Sequence, residues 1–173
     1  GGSCLPKDVR ALTHEGRLGG EELPLLESLL PSNEAHLAKL IELAKRLAKD
    51  RVTLLGLSFK SDTDDLRESP MVEVAQHLLG RGFELSIYDP QLNLAKLIGT
   101  NKRVIDEKMP HLASLLTGDL AAALGQSGLV IAAQKCIDLE TLRPLITAEH
   151  TLLDVNGWPE LRDLPAHYEG FCW

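Results

Sequence analysis

Eight residues at the amino end carry the side chains best suited to chemistry: Gly1-Gly2-Ser3-Cys4-Leu5-Pro6-Lys7-Asp8. Two glycines allow a backbone to come close to a ligand. A cysteine follows, then a proline suited to the first turn of a helix. A thiol just ahead of a helix start feels the partial positive charge of that end. The Lys7 ammonium, three residues on, adds a full charge, so the thiol is placed to ionise. Asp8 completes an acid/base pair beside it. The same spacing also fits Cys4 as an ordinary small apolar side chain, with Lys7 and Asp8 on a solvated helix face, because most cysteines are structural. Spacing alone leaves both readings open.

A second polar stretch lies further on. The loop from Ser58 to Glu68 offers Lys60 and Arg67, two cations able to hold phosphate oxygens. Ser69 caps the next helix with Pro70 at its first position, adding backbone donors for an anion. Only Gly56 stands where a dinucleotide fingerprint wants three glycines, so a nucleotide diphosphate held by side chains fits better than a standard NAD site. The alternative is a surface loop in which Lys60 and Arg67 pair with Asp62, Asp64, Asp65 or Glu68. Asp89, before Pro90, reads as a turn former. The six histidines lack metal-ligand spacing and read as structural or solvated, and no metal site is expected. Cys136 and Cys172 read as buried or incidental. No nucleophile elbow or Walker loop occurs.

These residues need elements to hold them. Leu5 to about Glu15 has helical character, ended by Gly16, Gly19 and Gly20. Glu21 to Leu30 offers a short second helix bounded by Pro31. Ser32 or Asn33 caps a third, whose stripe is Leu37, Leu40, Ile41, Ala44, Leu47 and Ala48. From Arg51 the pattern changes. Val52–Leu57, Leu85–Tyr88, Leu129–Ala133 and Thr151–Val155 are short apolar runs of the kind buried on both sheet faces. Helices are expected over Met71–Leu79, 91–98, 119–124 and 139–146, while 99–116 is ambiguous. The tail from Tyr168 is a candidate edge strand. The fold class is therefore α/β: a helical segment over 1–50, then a Rossmann-like open parallel sheet with flanking helices over 51–173.

The 173 residues suit one full domain plus an appendage. A net charge of −7 argues against nucleic acid and anionic membranes as partners. Aromatic residues make up 4%, too few for base-stacking platforms. No apolar run reaches the roughly 20 residues of a membrane span. Three scattered cysteines make no disulfide framework, and a reducing cytoplasm is the expected setting. A chain that opens on Gly1 with chemistry at once is expected to be the carboxy-terminal part of something longer.

Taken together, these stretches resemble the nucleotide-sugar 6-dehydrogenase family. Gly1 to Asp8 resembles its catalytic-cysteine motif. Gly56-Leu57-Ser58-Phe59-Lys60 with Thr63-Asp64-Asp65-Leu66-Arg67-Glu68-Ser69-Pro70 resembles a second signature, and Tyr88-Asp89-Pro90 a weaker third. The resemblance implies oxidation of a sugar C6 alcohol to a carboxylate in two NAD-dependent steps, through a cysteine thiohemiacetal and thioester. It implies Cys4 as nucleophile and Asp8 as the acid that moves protons or activates water. It implies Lys7 and Arg67 as NAD contacts, and Gly1 and Lys60 as substrate contacts. The tail, with Asn156-Gly157-Trp158 and Phe171-Cys172-Trp173, is most similar to the branch acting on GDP-mannose for alginate-type polysaccharides. A UDP-glucose enzyme is the alternative, and a module that only binds the nucleotide sugar is another. The resemblance further implies a homodimer built by the helical segment. It also implies an NAD-binding domain ahead of the cysteine motif that this chain does not contain.

Overall fold

Runs of four or five residues, too short for helices and mostly apolar in the central strands, become the strands of one parallel sheet. The computed structural model describes residues 2, 4–60, 63–93, 99–125 and 127–171. Two helices come first, α1 (Leu5–Leu18) and α2 (Pro24–Leu47). The sheet contains β1 (Arg51–Leu55), β2 (Glu84–Tyr88), β3 (Leu129–Ala132), β4 (Thr151–Asp154) and β5 (His167–Gly170). Its order is β2-β1-β3-β4-β5, and every pairing is parallel. The chain thus has the α/β open sheet that its strand pattern calls for, and the tail does add an edge strand.

The sheet is covered on both faces because side chains alternate. Val52, Leu54, Leu129, Ile131 and Leu153 turn to one layer, with Leu40, Ile41 and Ala44 of α2 and Val74, Ala75 and Leu78 of α3 (Pro70–Gly80). Leu55, Val130, Ala132 and Leu152 turn to the other, beneath α6 (Leu120–Leu124) and α7 (Leu139–Leu142). Between β2 and α6 lie α4 (Gly99–Lys108) and α5 (Leu112–Leu115), so the ambiguous stretch is largely helical. Ser69 caps α3 through its side chain, with Pro70 first in the helix, and Asp119 caps α6.

The helical segment departs from expectation. Pro31 does not separate two helices but sits inside α2, a single helix of 24 residues. An interior proline costs about 3 kcal/mol, since it offers no N–H to the carbonyl four residues back. Burial of Leu40 and Ile41, at roughly 1.5–3 kcal/mol each, offsets that cost and keeps the helix whole. Likewise α1 passes through Gly16 and stops at Gly19. The helix expected over 139–146 ends at Leu142 and tightens into a 3-10 turn at Arg143–Leu145, where Pro144 has no N–H to continue the ladder. Of the helix expected over 91–98, Gln91 to Asn93 are not helical, and 94–98 lie outside the described residues.

Candidate functional site

In a sheet of this order the strand sequence reverses between β1 and β3, and ligands favour the carboxyl ends at such a switch. The loop leaving β1 is anchored there by a carboxylate. Asp89, at the end of β2 and 6% exposed, accepts the Leu57 N–H at 2.9 Å, the Ser58 N–H at 3.2 Å and the Ser58 hydroxyl at 3.1 Å through Oδ2. Its Oδ1 accepts the Gln91 N–H at 3.1 Å. The turn role is thus present, together with a cross-loop role that sequence reading missed.

Gly56 has φ +87, and a Cβ there would lie 2.4 Å from the Gln134 side chain. Gln134 Nε2 in turn donates to the Ser58 carbonyl at 3.1 Å. The space beside Gly56, at the first βα turn, is therefore taken by the Gln134 side chain.

The same loop meets the amino-terminal motif. The Gly2 N–H donates to the Glu68 carbonyl at 3.0 Å. Gly2 is buried with φ +90, and an added Cβ would lie 2.6 Å from the Phe59 ring. Arg10, one turn into α1, pairs with Glu68 at 3.1 Å. Glu68 itself adopts φ 54, a left-handed conformation costing about 1–2 kcal/mol for a non-glycine residue. Its carbonyl holds the first motif at Gly2, and its carboxylate holds α1 at Arg10.

Each expected site residue has a definite place except Gly1, which lies outside the described residues. Cys4 is exposed, and its carbonyl accepts the first helical bond of α1, from the Asp8 N–H at 2.9 Å. Lys7 and Asp8 pair with each other at 3.1 Å, with side chains 68% and 58% exposed. Lys60 Nζ stands 5.4 Å from the Phe59 ring centroid, a cation–π contact. Arg67 is clamped by Asp65: Nε donates at 2.9 Å to Oδ1 and one amino group at 2.8 Å to Oδ2. Asp65 Oδ1 also accepts the Arg67 N–H at 3.0 Å. The side-chain hydrogen bonds to Asp65, then the Asp65 charge, hold the guanidinium above its usual range, with burial opposing them and a smaller contribution from Cys4. Arg67 therefore does pair within its own loop, and it also lies in the electrostatic reach of Cys4. The D-x-R spacing of Asp65 and Arg67 was a legible signal for the clamp.

Other candidates are quieter. Burial, followed by the charge of Asp89, pushes the Cys136 thiol up to about 12. His150 is buried, with Nδ1 facing the Thr147 N–H and Nε2 facing the Leu124 carbonyl. Among the described residues no group of three His, Cys, Asp or Glu side chains is placed to hold a metal, and no helix is long and apolar enough to cross a membrane.

Residues 53–157 match the family model described as "UDP-glucose/GDP-mannose dehydrogenase family, UDP binding domain". The GDP-mannose 6-dehydrogenase of Pseudomonas putida is 41% identical over 174 residues, covering 100% of this chain and 40% of that protein. Among solved structures, the ternary complex of GDP-mannose dehydrogenase from Pseudomonas aeruginosa aligns with a TM-score of 0.83 at 41% identity, over 100% of this chain and 39% of that one. A UDP-glucose dehydrogenase from the archaeon Pyrobaculum islandicum aligns with a TM-score of 0.76 at 31% identity, over 100% of this chain and 38% of that one. The chain spans about two fifths of the length of these relatives.

Proposed function

The chain belongs to the UDP-glucose/GDP-mannose dehydrogenase family, and from that membership we propose that it is the nucleotide-sugar-binding, cysteine-bearing part of an NAD-dependent GDP-mannose 6-dehydrogenase. The observation that carries the proposal is the contact between the two signature stretches. Gly2 bonds to Glu68 and packs on Phe59, while Arg10 holds Glu68 from α1. A thiol is thereby brought beside a loop carrying Lys60 and Arg67. Residues 1–50 serve as linking and dimerising segment, and 51–173 as the nucleotide-sugar domain. The exposed leucines of the two helices, Leu5, Leu12, Leu18 and Leu25 among them, leave an apolar surface for the second subunit. The NAD-binding domain is supplied by sequence outside this chain, the whole acting in the cytoplasm in alginate-type polysaccharide synthesis.

Lys60 and the backbone at Gly1 hold the nucleotide sugar. Lys7 and Arg67 hold the dinucleotide phosphates, and the second amino group of Arg67 has no hydrogen-bond partner among the described residues. When bound, the dinucleotide supplies the hydride acceptor for both oxidations. After the C6 alcohol becomes an aldehyde, the Cys4 thiolate adds to its carbon and the oxygen takes a proton, giving a thiohemiacetal. Oxidation of that adduct leaves a thioester on Cys4. Water activated by Asp8 then attacks the thioester, releasing the carboxylate and returning the thiol.

The test is NADH formation by the complete protein with GDP-mannose and with UDP-glucose. Two NADH per GDP-mannose are expected, with acid formation abolished by Cys4→Ser. An unchanged NADH yield in that variant would sink the covalent route. Faster turnover of UDP-glucose would move the assignment to the alternative branch, which the 31% identity to the Pyrobaculum enzyme supports less well than 41% supports GDP-mannose. Alone, the chain binds GDP without turnover. Calorimetry with millimolar GDP checks this, and absence of heat would count against an autonomous site.

A further inference from the structure

Glu68 holds a backbone conformation that glycine would adopt more easily. Its φ is 54, and it is the one non-glycine residue with positive φ among the described residues. Stability does not account for a glutamate there. The side chains of Arg10 and Glu68 are 54% and 44% exposed, and exposed ion pairs add little to folding. A strained residue whose side chain adds little stability marks a functional constraint. We propose that Glu68, acting through Arg10, is a positioning residue that fixes Cys4 relative to the nucleotide-sugar loop. The assignment rests on the reading of Cys4 as nucleophile.

The base of the device is rigid. Ser69, next to Glu68, is buried, and its hydroxyl donates to the Leu57 carbonyl at 2.7 Å. Leu57 in turn donates its N–H to Asp89 at 2.9 Å. The Phe59 N–H donates to the Asp65 carbonyl at 3.2 Å, closing the loop on itself. Glu68 therefore stands on a loop fastened to the carboxyl ends of β1 and β2. Two contacts run from it to the amino-terminal segment, one on each side of Cys4. Gly2, two residues before the cysteine, donates its N–H to the Glu68 carbonyl at 3.0 Å. Arg10, six residues after it, donates to both carboxylate oxygens, at 3.1 Å to Oε2 and 3.5 Å to Oε1. Cys4 immediately precedes α1, so Arg10 holds the helix and Gly2 holds the chain that enters it. The first contact needs only backbone. The second needs a carboxylate on a side chain of this length, which glycine and asparagine lack.

A thiol that adds to an aldehyde must stand about 3–3.5 Å from its carbon, and a displacement of about 1 Å costs up to about a hundredfold in rate. Cutting the Arg10 contact leaves the Gly2 contact in place, so a smaller loss, about tenfold, is expected.

The experiment is steady-state NADH formation by the complete protein with GDP-mannose, with thermal unfolding measured on the same samples. Glu68→Asn keeps a residue that accepts positive φ but falls short of Arg10. It is expected to lower kcat about tenfold, to leave KM for GDP-mannose within about twofold, and to leave the unfolding midpoint at or above that of the parent. Arg10→Met should lower kcat equally, and the double variant no further than either alone, because all three lose one and the same contact. Glu68→Gln, which can still accept from Arg10, should recover most of kcat. The proposal is overturned if Glu68→Asn keeps the parental kcat, if its kcat falls only alongside a lowered unfolding midpoint, if KM rises in place of the fall in kcat, or if the two single losses multiply in the double variant. Cys4→Ser, measured beside them, separates the two readings. An unchanged NADH yield there would remove the nucleophile, and this proposal with it. Abolished acid formation there, with parental turnover in Glu68→Asn, would remove the positioning role alone.

Discussion

Asp89→Ala removes one side chain and strands several donors. Leu57 is fully buried and Ser58 is 3% exposed, and both direct their N–H groups at Oδ2 of Asp89. A buried donor left unpaired costs about 1–3 kcal/mol, so two such donors cost about 3 kcal/mol together, allowing for partial relaxation. That is a large share of the roughly 5–15 kcal/mol of a typical domain. Asp89→Asn is milder. One oxygen remains to face Leu57 and Ser58, but the amide then presents N–H toward the Gln91 N–H, and the charge-assisted character is lost. About 1–2 kcal/mol is expected. The order of stability in urea should be Asp89, then Asn, then Ala. Hydrogen exchange at the Leu57 and Ser58 amides should quicken in the same order. Lys60 lies two residues beyond Ser58, so GDP affinity should fall about tenfold in the alanine variant, the equivalent of about 1.4 kcal/mol. An alanine variant within about 1 kcal/mol of the parent, with both amides still protected, would refute the reasoning, because it would mean the loop has other means of satisfying those donors.

Gly2→Ala should cost about 2 kcal/mol, since φ is +90 and the new methyl would sit 2.6 Å from the Phe59 ring. Thermal unfolding checks this. Adding Phe59→Ala should return the steric part only, and full recovery in the double variant would show that backbone strain is absent. At pH 8, Cys136 should be nearly inert to thiol reagents, its thiolate being about one part in ten thousand if its proton leaves at about 12. Competitive labelling against Cys4 tests that, and equal labelling would contradict the burial argument. The same shift predicts a pH dependence of stability. Below the ordinary thiol value of 9.0 both folded and unfolded chains keep the proton, so the contribution is intact. Between 9 and 12 the unfolded chain ionises and the folded one does not, so stability falls, on the order of 4 kcal/mol at the limit. Cys136→Ala should flatten that slope, and an unaltered slope would assign it to other groups.

Much of the fold was legible in the sequence. The runs at Val52, Leu129 and Thr151 are strands because short apolar segments buried on both faces suit the middle of a sheet, and the run at Leu85 alternates buried and half-buried side chains. Ser69-Pro70 opens a helix because a hydroxyl cap and a missing N–H are both local properties. Family membership was legible too, since the side chains of Gly1 to Asp8 and Gly56 to Pro70 stand in a fixed order that needs no coordinates to read. Only the tertiary structure decided how those pieces are used. Pro31 remains inside α2 because Leu40 and Ile41 pack against the sheet, a contact invisible to helix propensity. Asp89 proved to be a fastener as well as a turn because its partners, Leu57 and Ser58, lie 32 and 31 residues away. Arg10 reaches Glu68 across 58 residues. Arg67, which composition left between phosphate ligand and loop ion pair, is gripped by Asp65. Local patterns encode which residues are apolar, capped or strained. Which charge meets which is set by chain closure over tens of residues, and that is decided only when the sheet has brought its loops together.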